Sequence, residues 1–394
     1  MRIGVRADDR VQGALARIGR TEDVAFSPSG DRVAIAALLE NLILLVDLGT
    51  DPDDPDAPIS LTGALEIGSA ALRRPHGLAW LDDRHLIVAN REGAVVLFEV
   101  PPAESQTGCL NLDPMLTIGH PNEPVITPGS LSVFDLGADL FELLVCNNYV
   151  HTVSRHLIDA RAGFALISTD VLLSGGIDVP DGIAHSPSGR WLAVSNHYDH
   201  CVNLYRNTAE LGRDPAPCGL LTGLQYAHGL RFSADETALV VADSGAPFIH
   251  LFRAENGDDW EGARTPDRSC RIMTEGEFES ARDNPEEGGP KGLDLSPDGR
   301  LLAVTCTQLP LAFFDFAAIA GPLAPTSRMA PDDAERGREA LLRFLAAARR
   351  TTEDAADERR SADEDVRRML QSRSWRITAP LRRIGAAARR GRRA

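Results

Sequence analysis

The chain has 394 residues, with 41 basic and 57 acidic side chains and a formal net charge of −16. That length suits one large domain or two ordinary ones, and 43% hydrophobic residues can supply a sizeable core. The acidic balance excludes general nucleic-acid binding by the body of the protein, because phosphate backbones are held by basic surfaces.

The N-terminal segment "MRIGVRADDR" has no apolar core and does not read as a signal peptide. The longest apolar run, "VAIAALLENLILLVDL" at 33–48, is broken by Glu40 and Asn41, so no membrane span is expected. Six cysteines lie far apart with no CxxC pair, and Cys146 and Cys306 sit in strand-like runs. Reduced, structural thiols in a cytosolic protein are the expectation.

One pattern recurs along the chain: "EDVAF" at 22–26, "HGLAW" at 76–80, "GSLSV" at 129–133, "DGIAH" at 181–185, "HGLRF" at 228–232 and "KGLDL" at 291–295. The steps between starting points are 54, 53, 52, 47 and 63 residues. Each unit continues with a turn rich in Asp, Ser, Pro and Gly ("SPSGDR", "LDDRH", "SPSGR", "SADET", "SPDGR"). Then come apolar strands such as "VAIAA", "LIVAN" and "LAVSN", a third strand such as "AVVLFEV", and a fourth such as "GALEIG". Four short strands per unit, six times over, predict an all-β, six-bladed β-propeller.

The sixth unit ends at Phe316 without a fourth strand. "GALARIG" at 13–19 matches "GALEIG" at 63–68, so the N-terminal segment is expected to supply that strand and close the ring. The glycine that is usually second in each innermost strand suits a crowded centre where backbones approach closely.

Strands A run along the central channel and strands B return. The starts of A and the ends of B therefore share one face. That face collects Glu22, His76, Asp181, His228 and Lys291 from the A starts, and Asn90, Asn147, Asn196 and Asp243 from the B ends. A site, if present, belongs there, where a small-molecule or protein ligand can enter the channel mouth. His197, Asp199 and His200 of "NHYDH" follow in a loop, where extended alternation would scatter them, so a solvated loop is expected. No GxSxG elbow, P-loop or dinucleotide fingerprint occurs.

The units "PHGLAW", "SPDGR" and "VAD" resemble the six-bladed propellers of the NHL-repeat and gluconolactonase (senescence-marker) group, over residues 13–316. In that group a divalent metal at the channel mouth is held by Glu, Asn and Asp at A starts of the first, fourth and fifth blades. The resemblance implies Glu22, Asp181 and His228 as the metal ligands, with Asp and His replacing the family's Asn and Asp. His in the set suits zinc more than calcium. His76 is implied as a further ligand or a general base, and Lys291 as the group that meets an anionic substrate. The third-blade position, a substrate-contacting Asn in the family, is Gly129 here.

Two insertions interrupt the units: "DPDDPDAP" at 51–58, acidic and solvated, and 255–290, which holds a fourth strand and ends just before Lys291. After residue 320 the strand pattern stops. Residues 331–350 and a segment from Ser361 read as helices, within an extension over 321–372. From Val366 to Ala394 there are ten arginines and no acid, interleaved with Trp375, Ile377, Leu381 and Ile384. That basic tail, 373–394, suits an anionic membrane surface or a partner, and equally a solubilising extension. Its "SWRITAPLR" resembles C-terminal segments of bacterial glycosyltransferases and polysaccharide-assembly proteins.

Two functions stand. The first is a ligand- or protein-binding scaffold for cell-envelope polysaccharide assembly, cytoplasmic and peripheral to the inner membrane through 373–394. The second is a metal-dependent, lactonase-like hydrolase or a lyase with its site at the channel mouth.

Overall fold

The computed structural model describes residues 2–321, apart from 51–58, 104–106, 121–122, 162, 209–210, 213 and 283. The acidic insertion at 51–58, the helices expected after residue 321 and the basic tail lie outside the described residues.

Six antiparallel sheets form in chain order, each built outward from a central strand A. Strands A are Thr21–Phe26, Pro75–Asp82, Pro128–Gly137, Pro180–His185, Ala227–Phe232 and Gly292–Leu295. Strands B are Arg32–Ala37, His85–Asn90, Leu140–Asn147, Trp191–Asn196, Ala238–Asp243 and Leu301–Cys306. Strands C are Leu42–Thr50, Val95–Glu99, Thr152–Asp159, Cys201–Arg206, Phe248–Arg253 and Leu309–Asp315. Strands D are Ile59–Gly68, Leu116–Ile118, Ala165–Leu173, Gly219–Leu221 and Arg268–Arg271. This is the six-bladed propeller expected from the repeat.

Both faces of a blade pack on neighbouring blades, so the middle strands are apolar throughout rather than alternating. Ile35 and Leu44 of blade one are fully buried in one layer, and Ala34 and Leu45 in the next. Six apolar layers result, each between two adjacent blades, and the layer of blades six and one closes the ring with Ala303 and Phe313 against Val24 and Val33. Each large aliphatic or aromatic side chain buried there stabilises by about 1.5–3 kcal/mol.

The closure differs in detail from the sequence expectation. Residues 13–19 are not a strand: Asp9–Arg17 is a helix, α1, whose N-cap Asp8 accepts from the Val11 amide at 2.8 Å. Asp9 in the first turn and Arg17 in the last complement the helix dipole. Val11, Ala14 and Ile18 lie on one helical face and fill the closing layer. "GALARIG" and "GALEIG" share letters, but the capped "DDRVQ" ahead of the first commits it to a helix. The ring is instead joined by Arg2, which bridges Phe314, and by Ile3, whose amide donates to Phe313 at 2.8 Å. Among the described residues, blade six has three strands.

Three short parallel additions widen the outer edges among the described residues. Val5–Ala7 and Gly108–Asn111 pair with strand D of blade one, and Gly262–Arg264 from the fifth-blade excursion pairs with strand D of blade four. The six cysteines are free, with Cys146 and Cys306 buried as expected. No helix among the described residues is long and apolar enough to cross a membrane.

Candidate metal centre at the channel mouth

In five blades the pairing of A with B slips at the same place. The breaks fall between Thr21 and Val24, Pro75 and Leu78, Pro128 and Leu131, Pro180 and Ile183, and Ala227 and Leu230. A bulge releases residues from the ladder and re-aims their side chains. The first residue released is Glu22, His76, Gly129, Asp181 or His228. The second is often glycine, and the reason is contact: a Cβ on Gly77 would lie 2.5 Å from the Gly129 carbonyl, and one on Gly229 2.6 Å from that of Lys291. Small second residues let the inner strands close up, and the first residues face one another across the channel.

The four side chains so placed meet in a cavity of about 230 Å³ that Lys291 also lines. His228 Nε2 is 3.6 Å from Glu22 Oε2 and 3.3 Å from Asp181 Oδ2. His76 Nε2 is 3.5 Å from Glu22 Oε2 and 3.8 Å from Asp181 Oδ1. The two imidazoles stack with centroids 5.5 Å apart. Lys291 Nζ sits 3.5 Å from Glu22 Oε2 and donates to Glu287 Oε2 at 3.0 Å. All five residues singled out in the sequence are thus brought together.

Sequence reasoning missed four others, Arg20, Arg91, Asn148 and Glu287, and misplaced a fifth. Arg91, Asn148 and His197 each follow the last residue of a strand B, one position beyond Asn90, Asn147 and Asn196. The Asn residues themselves serve turns. Asn90 accepts from Arg73 at 2.9 Å, Asn147 from Ile126 at 2.8 Å, and Asp243 likewise accepts from Gln225 and Tyr226. His197 is buried rather than part of a solvated loop, with Nε2 3.4 Å from Glu287 Oε1. Asp199 and His200 are exposed. The signal was periodic and available: in blades two, three and four the residue after the strand B end turns into the mouth.

Glu287 comes from the fifth-blade excursion, in which α2, Glu275–Ser280, capped by Thr274, packs Phe278 into the layer of blades five and six, and a turn ordered by Asn284 then reaches the mouth. Asn148 explains the departure at Gly129. A Cβ there would collide with Asn148 Oδ1, so the amide of Asn148 occupies the space of a third-blade side chain and donates to Asp181.

Burial pushes the Glu22 carboxyl up, but Lys291, the imidazole of His76 and Arg20 outweigh it and hold the group far below the usual range. Asp181 is likewise held ionised against burial, by His228, Arg91 and His76. Burial pushes the Glu287 carboxyl up, but Lys291 and His228 together outweigh it and pull the group down to about 2. Burial and the Arg91 guanidinium push His76 down to about 3, and burial lowers His228. Ionised carboxylates face neutral imidazoles, so Lys291 and Arg20 are the charges that pair with Glu22.

These are the protonation states that bind metal ions. Donor atoms about 2.0–2.1 Å from a zinc stand roughly 3.0–3.5 Å from one another, close to the spacing of Glu22 Oε2, His76 Nε2, His228 Nε2 and Asp181. Two overlapping triads qualify, Glu22–His76–His228 and Asp181–His228–Glu287. Glu22 Oε2 and both ring nitrogens of His228 are buried with no hydrogen-bond partner among the described residues. Orphaned atoms of that kind are rare and costly. The donor set fits a divalent cation. Arg91, which contacts both His76 Nε2 and Asp181 Oδ1, is the group that must yield, and its guanidinium leans toward solvent 5.4 Å above the ring of Tyr149. With a pKa near 3, His76 is better suited to ligation than to general-base work at neutral pH.

No family model matches the chain, and no curated protein sequence matches it.

Proposed function

We propose that this protein binds one divalent cation at its channel mouth and acts there as a metal-dependent hydrolase or lyase on a small, oxygen-rich substrate. The observation that carries this reading is the pair of buried ligating groups without a hydrogen-bond partner among the described residues, Glu22 Oε2 and the His228 imidazole, in two triads that share His228, one with His76 and one with Asp181. Glu22, Asp181, His76 and His228 would hold the ion, and the mixed imidazole and carboxylate set favours zinc over calcium. When bound, the ion supplies Lewis acidity toward a carbonyl or lowers the pKa of a water. Arg91, whose partners His76 and Asp181 would be taken up in holding the ion, would turn to the rim and meet an anionic part of the substrate. Asn148, through its bond to Asp181, orients that carboxylate.

Elemental mass spectrometry of the purified protein tests the reading, with Asp181→Ala and His228→Ala alongside. One equivalent of metal, lost in both variants, supports it and directs lactone and ester screens. No metal after supplementation removes it.

The second reading is a scaffold in cell-envelope polysaccharide assembly, cytoplasmic and docked at the inner membrane by 373–394. Exposed Tyr149 and Tyr198 at the rim, with Ile126 and Val150 nearby, favour a partner on this face. The tail's composition and resemblance favour the docking. Its test is deletion of 373–394: the truncated protein leaves the membrane fraction if the reading holds, and an unchanged distribution sinks it.

A further inference from the structure

Four basic and four acidic side chains line the mouth among the described residues. Lys291 and Arg20 pair with Glu22 and Glu287 on its floor, and Arg91 pairs with Asp181. The remaining two, Arg74 and Glu286, stand at the rim. Arg74 meets exposed Glu92 at 3.1 Å, and an exposed pair of that kind is weak and easily exchanged. The exposed Glu286 carboxylate has no hydrogen bond or ion pair among the described residues. Arg74 opens blade two, which lies opposite blade five in a ring of six. The Glu286 segment is fastened to blade five, where the Gly288 and Gly289 amides donate to the Ser244 carbonyl at 2.9 and 2.8 Å. The rim is therefore positive on one side and negative on the other.

We infer that the ligand of this mouth is a small zwitterion of the amino-acid class, with a carboxylate at one end and an ammonium group at the other. The inference rests on the reading of the mouth as a small-molecule site and adds the charge at both ends; it does not need the ion. A guanidinium fork matches a carboxylate with two parallel hydrogen bonds. Arg74 offers that fork, and the Arg91 amide donates to the Arg74 carbonyl at 2.9 Å, so a second guanidinium springs from the adjacent backbone. On the other side Glu286 accepts from the ammonium group, and the ring face of Tyr198 attracts the same charge. Burial and then the Glu286 carboxylate raise the Tyr198 phenol, as expected of close neighbours. With equal numbers of either sign in its lining, the mouth has no net pull on a simple anion or a simple cation. It rewards a molecule that carries both, in the order opposite to the rim. The cavity of about 230 Å³ suits a ligand below drug size.

The test is a charge series. Full-length protein in chelator is titrated by calorimetry with glycine, γ-aminobutyrate and ε-aminocaproate, and with butyrate and butylammonium as single-charge controls. The best of the three amino acids should bind at least about ten-fold tighter than either control, because a lost hydrogen bond to a charged group costs that factor or more. Glu286→Gln should bring that amino acid down toward the affinity of butyrate, and Arg74→Gln toward that of butylammonium. Both side chains are exposed, so the fold survives either change. Butyrate or butylammonium binding as tightly as the best amino acid, or no binding by any of the three, overturns the inference. Metal content is measured separately by elemental mass spectrometry, so zwitterion recognition and the metal reading can each fail without the other.

Discussion

Buried histidines meet carboxylates at both ends of the channel. At the far end His185, the last residue of its strand A, receives Ser132 on Nδ1 at 2.9 Å and meets Glu142 on Nε2 at 3.1 Å. Arg155 lies 3.5 Å from the same carboxylate. Ser132 also accepts the His185 amide at 3.1 Å, the stitch that Asp294 makes to Phe26 between blades six and one. Both ring nitrogens are matched, and both ring contacts join blade three to blade four. At the mouth, the same residue types leave His228 with neither nitrogen matched. Composition does not separate a structural cluster from a functional one. The completeness of the hydrogen bonding does.

The largest effect that tests this contrast is Glu142→Ala. It strands Arg155 beside His185, and breaking a buried ion pair from one side costs about 3–5 kcal/mol. Denaturant unfolding should show that loss while bound metal stays at the wild-type level. Loss of metal in this variant would mean the two ends are one system. His228→Ala should do the opposite. Metal affinity should fall by on the order of 100-fold or more by competition titration, with stability changed by no more than about 1 kcal/mol, because no hydrogen bond is lost.

The third effect is smaller and depends on pH. His76 has a folded pKa near 3 against 6.5 in an unfolded chain, so only the unfolded state takes up its proton between those values. Its contribution is present above pH 6.5 and is lost as the pH falls toward 3. Asp23, raised by burial to about 7 from 3.8, works in the opposite direction over the upper part of that range. His76→Gln should therefore flatten the acid-side loss of stability by up to about 1.4 kcal/mol per pH unit, in urea titrations from neutral pH downward. An unchanged slope would show that His76 already carries a proton in the fold.

Much of this was legible beforehand because the repeat converts position into place. Once Glu22, His76, Asp181, His228 and Lys291 share a register, convergence at one mouth follows from the topology. Arg91, Asn148 and His197 share a register too, but the turn-forming Asn90, Asn147 and Asn196 beside them carried the more familiar chemistry and drew the assignment one residue early. Glu287 could not be placed from sequence, since the 255–290 excursion has no counterpart in the other blades and its path depends on α2 and the Asn284 turn. The N-terminal helix was misread because five shared letters said nothing of the Asp8 cap.

The repeated slip in strand A has a consequence for the history of such a protein. The residue that faces the channel is the one the ladder has let go, so its side chain answers to no pairing partner in its own blade. Exchanging it alters the chemistry of the mouth and leaves the walls standing. The ring behaves as a mount with interchangeable fittings: glutamate, histidine, aspartate, or nothing at all at Gly129, where a neighbour leans in to fill the gap.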